Sequence, residues 1–100
     1  MRAEVIYTHF VKNDLKEINQ WYNKIDNKLW NNFVKEFRSK ISFIRRNPLS
    51  LEQKYGHNRI AFLNKFPYGI HYLYDERKNA VIIYAIFHTS RNPENLETGK

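Results

Sequence analysis

His88 ends the most hydrophobic run of the chain and is followed by Thr89, Ser90, Arg91, Asn92 and Pro93. A histidine at a strand end lies at the rim of a sheet, within reach of solvent and of a substrate. Its ordinary pKa near neutrality suits it to give or take a proton. Arg59, Arg91, Lys54, His57 and Glu52 supply the other chemically useful types in this half of the sequence. RNA cleavage needs a base for the 2′-hydroxyl, an acid for the leaving oxygen and cations for the developing phosphorane charge. Those types are all present. The plainer role, in which His88 hydrogen-bonds a backbone group and closes the core, fits the residue type at least as well.

The cations are unevenly spread. Lys35, Arg38, Lys40, Arg45, Arg46, Lys54, Arg59 and Lys65 are opposed only by Glu36 and Glu52, so most of the net charge of +7 sits in under a third of the length. Lys35, Arg38 and Lys40 read as the solvated face of a helix. Arg45, Arg46, Lys54 and Arg59 flank a loop leading into a sheet, where they could converge on phosphates that arginine grips through paired hydrogen bonds. A positive field attracts nucleic acid, acidic proteins or anionic surfaces, and it also keeps a chain soluble.

Other chemistries are excluded or unsupported. The absence of cysteine removes disulfides, thiolate nucleophiles and Cys-ligated metals. His9, His57, His71 and His88 show no metal-ligand spacing, and no phosphate-cradling Gly-rich loop or nucleophile elbow is present. No cofactor and no metal are expected. No run approaches the ~18 apolar residues of a membrane span, and no apolar leader follows Met1. With 42% hydrophobic and 16% aromatic residues in 100, the chain can fill one core. A single domain is expected over 1–100, with a polar tail from about residue 94 that orders on binding.

The elements that must position these side chains follow from a change of period. Val5 to Phe10 reads as a strand. Asn13 and Asp14 offer helix caps, and Leu15, Ile18, Tyr22 and Ile25 form the stripe of an amphipathic helix. Asp26-Asn27 breaks it. A second stripe of Trp30, Phe33, Phe37, Ile41 and Ile44 runs to Asn47-Pro48, where proline disfavours helix in its predecessor. Two helices so briefly connected form an antiparallel hairpin. Arg59 to Asn64, Tyr68 to Tyr74 and Ala80 to His88 read as strands, the last two joined by the polar turn Asp75–Asn79. In the last strand Val81, Ile83, Ala85 and Phe87 alternate with Ile82, Tyr84, Ile86 and His88. Both faces are apolar, and the helices can cover only one. The expected architecture is α+β, in the order βααβββ.

That series resembles the RelE/ParE superfamily of toxins from bacterial type II toxin–antitoxin pairs. The resemblance runs over roughly residues 3 to 96 and rests on Phe66-Pro67-Tyr68-Gly69-Ile70-His71-Tyr72 and His88-Thr89-Ser90-Arg91-Asn92-Pro93. It implies a helical hairpin packed on one face of a curved antiparallel sheet, in a cytoplasmic toxin neutralised by a small acidic antitoxin. It also implies one of two targets: mRNA cut in the ribosome, or DNA gyrase bound and stalled. His88 and Arg59 match positions where a nuclease would want an acid/base and a cation, and Arg91 a phosphate contact. Gly69 stands where RelE-like nucleases often carry a catalytic arginine, Leu96 stands near a frequent tryptophan, and no tyrosine follows His88. The remaining candidates are Arg45, Arg46 and Lys54 for nucleic acid, and Ile82, Tyr84 and Ile86 for the antitoxin. A decayed toxin acting as a basic nucleic-acid- or protein-binding module is the alternative.

Overall fold

The computed structural model describes residues 2–90. A short strand, β1 (Glu4–Tyr7), leads into helix α1 (His9–Ile25) and helix α2 (Asn27–Arg46). Strands β2 (Gln53–Tyr55), β3 (Asn58–Phe62), β4 (Tyr68–Asp75) and β5 (Ala80–His88) follow. They form one five-stranded sheet in the order β1-β5-β4-β3-β2.

The expected α+β arrangement of a helical hairpin on a sheet is present, with two differences. The helix starts at His9, not after Asn13, because Thr8 already has the extended backbone and side-chain oxygen of an N-cap: its Oγ1 accepts from Val11 N. Phe10 therefore leaves the strand, and Asp14 lies one turn inside the helix. The second difference is β2, a strand of only three residues joined to β3 by a turn in which Gly56 adopts φ 55°. This hairpin adds one reversal of the chain. The strands β2 to β5 are antiparallel as expected, but β5 reaches β1 in the parallel sense, so the sheet is mixed.

Asp26 makes the helical hairpin tight. Its backbone N–H donates to Tyr22 O, while its carboxylate accepts from Lys28 N at 2.9 Å, so one residue ends α1 and caps α2. The core lies between the hairpin and one face of the sheet. Val11, Ile18, Phe33, Phe37, Ile41 and Ile44 from the helices meet Ile70, Tyr72, Val81, Ile83 and Ile86 from the strands. The N-terminal strand is tied to the end of α2 twice, by Ala3 N to Arg45 O and by Arg45 Nε to Ala3 O.

Tyr72 carries a flaw in this core. The ring is fully buried, and its hydroxyl has no hydrogen-bond partner among the described residues. Removing an unsatisfied buried donor relieves its desolvation cost, so Tyr72→Phe is expected to hold or raise stability by about 1 kcal/mol. A urea unfolding midpoint at or above that of the parent chain, with unchanged slope, is the expected reading.

Candidate functional site

A bulge in β5 decides which side chains face the helices and which face away. His71 on β4 pairs with Ala85, and Tyr72 pairs with Ile83, leaving Tyr84 as the extra residue. The alternation shifts at that point. Ile86 therefore turns to the helix side, where it is 3% exposed, and Phe87 turns away. The expected trio Ile82, Tyr84 and Ile86 does not share a face: Ile82 and Tyr84 belong to the side away from the helices, and Ile86 belongs to the core.

That open face carries a hydrogen-bonded string. Tyr55, reaching across from β2, places its hydroxyl 2.8 Å from His71 Nδ1 and 2.8 Å from the Tyr84 hydroxyl. His71 is buried among Tyr55, Tyr84 and Phe87, its ring centroid 4.8 Å from that of Phe87. Burial pushes its pKa from 6.5 down to about 4, so the imidazole is neutral at pH 7. Burial, then the bond with Tyr55, drives the Tyr84 phenol well above its ordinary value. Sequence reading passed over this cluster because Tyr55, His71 and Tyr84 share no spacing; only the strand register makes them neighbours. Phe62, nearly half exposed, lies over Gly69 on the same face. A Cβ at Gly69 would come within 2.9 Å of Ile60 Cγ2 and 3.2 Å of the Phe62 ring, so this position is occupied by neighbours where an arginine would have to stand.

The sequence candidates for nuclease chemistry are separated. Arg59 pairs with Tyr72 and His88 with Tyr68, four residues apart on the intervening strand. At ~3.3 Å per residue this is roughly 13 Å along β4, before the width of two strands is added. The Arg59 guanidinium donates through Nη1 to Leu51 O. His88 packs edge-on against Tyr68, with Nδ1 accepting from Ser90 N at 3.1 Å and lying 3.0 Å from Ser90 Oγ. Near it, Asp14, Glu17, Trp21 and Tyr68 line a pocket of about 250 Å³. Asp14 accepts from Ile86 N at 2.9 Å, which supplies a partner for a strand group beyond the end of β1.

The phosphate-binding candidates do not converge either. Arg45 is held by Ala3 O, Arg46 Nε donates to Ser42 O, and Lys54 forms an exposed ion pair with Glu52 at 2.8 Å. That pair holds the Glu52 carboxyl below its usual range. Arg91 lies outside the described residues, as do the tail from residue 94 and the last part of the His88–Pro93 motif. Among the described residues no three His, Cys, Asp or Glu side chains group as metal ligands, and no helix is long and apolar enough to cross a membrane.

The helix side carries a larger feature. An open groove of about 850 Å³ runs between α1 and α2, with Tyr7 of β1 among its walls. Leu15, Trp30 and Val34 contribute apolar surface to it, and Lys12, Lys16, Lys35 and Arg38 contribute charge from both helices. Lys35 and Arg38 are exposed, on the solvated face of α2 as expected, and they border this groove.

Comparison with known proteins matches this architecture. No curated protein gives a match. Among solved structures, a chain from the chromosomal ParDE toxin–antitoxin system of P. aeruginosa superposes with a TM-score of 0.74 at 12% identity, over 87% of this chain and 96% of that one. A chain from the RelBE2 toxin–antitoxin complex of Mycobacterium tuberculosis gives 0.56 at 17% identity, over 91% and 95%. At such identities the likeness is one of fold. The family model described as ParE toxin of type II toxin–antitoxin system, parDE, matches residues 5–93. With nearly its whole length fitting that pattern, the chain belongs to the ParE toxins of type II toxin–antitoxin systems, within the RelE/ParE superfamily.

Proposed function

We propose that this chain is the growth-arresting half of a two-component pair, that a small acidic antitoxin neutralises it, and that it acts in the cytoplasm by binding DNA gyrase rather than by cutting mRNA. The observation carrying the choice is the separation of Arg59 from His88 by the pairing of both with β4. General acid–base cleavage needs its acid, base and cation around one phosphate. Here the cation is engaged by the Leu51 carbonyl and the histidine lies at the far end of the sheet. Gly69 adds no charge. What the open face offers instead is contact surface: Ile82, Tyr84, Phe87 and Phe62, without a helix over them. A target or an antitoxin segment seated there would bury aromatic area, the usual source of hot-spot affinity.

Induction of the chain alone is expected to stop growth. A gyrase assay with purified protein should then show lost supercoiling, and primer extension on cellular mRNA should show intact transcripts. Codon-phased cuts abolished by His88→Ala or Arg59→Ala would overturn the gyrase reading in favour of ribosome-linked cleavage. Induction without growth arrest, with salt-sensitive and sequence-indifferent binding to RNA or DNA, would assign the chain to the non-toxic binding modules.

A further inference from the structure

We infer that the outer face of α1 is where this chain meets gyrase, and that it receives there an arginine or lysine set among apolar side chains. The inference rests on the gyrase reading above and names the surface and the chemistry of its partner. The three most exposed large apolar side chains among the described residues all belong to α1: Phe10 at 70%, Ile25 at 58% and Trp21 at 57%. At 3.6 residues per turn, the step from Phe10 to Trp21 is about three turns, and one more turn reaches Ile25. All three therefore share one face. Asp14 and Glu17 fall between them on that same face, one and two turns after Phe10. Lys12, Lys16 and Asn19 lie on the opposite side of the helix, along the groove that borders α2. Single exposed apolar residues are ordinary on a surface; aligned along one helix face, they mark a contact.

The middle of this stripe has depth. Glu17 and Trp21 line the pocket of about 250 Å³ together with Tyr68 and His88, whose rings pack edge-on at 5.3 Å and form an aromatic wall. Asp14 is fixed beside them by accepting from Ile86 N at 2.9 Å. Glu17 is exposed and has no ion-pair partner among the described residues. A guanidinium or ammonium suits such a place, because a tryptophan face attracts a cation and a carboxylate holds it through charged hydrogen bonds. On a chain of net charge +7, two carboxylates set between aromatic side chains select a basic partner segment at this face. An enzyme that handles DNA grips phosphates with Lys and Arg, so its surface offers such segments. Nucleic acid itself fits poorly, since its phosphates would face Asp14 and Glu17. A second copy fits poorly too, because a two-fold contact would bring the same carboxylates together between two chains of like charge.

The test uses the purified full chain and purified gyrase. Glu17→Lys, Trp21→Ala and the pair Phe10→Ser/Ile25→Ser should each bind gyrase at least tenfold more weakly, and each should need at least tenfold more protein to stop supercoiling. Glu17→Gln should lose less than Glu17→Lys, and binding by the parent chain should weaken as salt rises. Lys78→Glu, in the β4–β5 turn, should match the parent. Because the substituted side chains are exposed, urea unfolding midpoints should stay with the parent, which separates a lost contact from a lost fold. Affinity for the antitoxin encoded beside the chain should be unchanged as well. Variants that bind and inhibit gyrase as the parent does would overturn this inference while leaving the gyrase reading intact. Equal losses of gyrase and antitoxin affinity would also overturn it, by assigning the face to the antitoxin. Sedimentation that shows a parent dimer absent from the variants would assign the face to a second copy instead. A parent chain that neither binds gyrase nor stops supercoiling would overturn both.

Discussion

Phe33→Ala is expected to lower the stability of the chain by about 3–5 kcal/mol, the usual cost of deleting a fully buried aromatic side chain. The ring is 0% exposed and lies in the middle of an aromatic set drawn from both helices and the sheet. It stacks on Trp30 and on Phe37, the latter at 6.0 Å, and meets Phe66 and Tyr68 edge-on at 5.4 and 5.8 Å. Such pairs add to area burial through their complementary quadrupoles. The backbone on either side is helix, capped at Asp26, so it has little freedom to collapse into the space. Domains of this size are stable by only about 5–15 kcal/mol, so the loss takes a large share of the total. Thermal unfolding followed by circular dichroism should show a drop in Tm of well over 10 °C, at ~4–8 °C per kcal/mol. A change of a few degrees would mean that the hairpin and sheet are packed more loosely than these contacts require.

The parts of the fold legible in the sequence are those with long, strict periods. Phe33, Phe37, Ile41 and Ile44 form the stripe expected for α2, and all four are buried. In α1, Ile18 and Tyr22 are buried as the stripe requires, whereas Ile25 is exposed at the helix end and Val11 takes the place of a core residue one turn earlier. That shift follows from Thr8, whose cap begins the helix before the stronger-looking Asn13-Asp14 signal. Asp14 has the chemistry of a cap and is used for another purpose, accepting a strand N–H across the core boundary. Sequence patterns give residue type and spacing; they do not say which of two hydrogen-bonding jobs a carboxylate will do.

Two other misreadings share a cause. The strand β2, Gln53-Lys54-Tyr55, has neither length nor apolar alternation, and without it the chain is counted one reversal short. The parallel pairing of β1 with β5 was therefore not visible. The bulge at Tyr84 has no mark in the sequence either, since Tyr84, Ala85 and Ile86 continue a plausible alternation on paper. Its consequence is large: it moves Ile86 into the core, frees Phe87, and assembles Tyr55, His71 and Tyr84. Features set by one extra residue in a ladder are decided by partner strands, and a period-two pattern cannot contain them.

The buried histidine on the open face makes stability depend on pH in a direction that can be worked out. In the folded chain His71 is 3% exposed, faced by the hydroxyl of Tyr55 and the rings of Tyr84 and Phe87, with its pKa at about 4. In the unfolded chain it titrates near the ordinary 6.5. A lowered histidine pKa means that the unfolded state takes up the proton first, so stability at this site is fully present above pH 6.5. It falls as the pH drops from about 6.5 to about 4 and levels once both states are protonated. The difference of two and a half units corresponds to about 3 kcal/mol. His71→Gln removes the titration while keeping a polar side chain beside Tyr55. Urea unfolding of both proteins at intervals between pH 7 and pH 4 gives the difference directly, because every other titrating group is common to both and drops out. The parent chain should lose about 3 kcal/mol more than the variant over that interval, and the variant, less stable at pH 7 through its imperfect fit to Tyr55, should narrow the gap as the pH falls. Parallel curves would show that the imidazole reaches water in the native state and titrates there as it does in the unfolded chain.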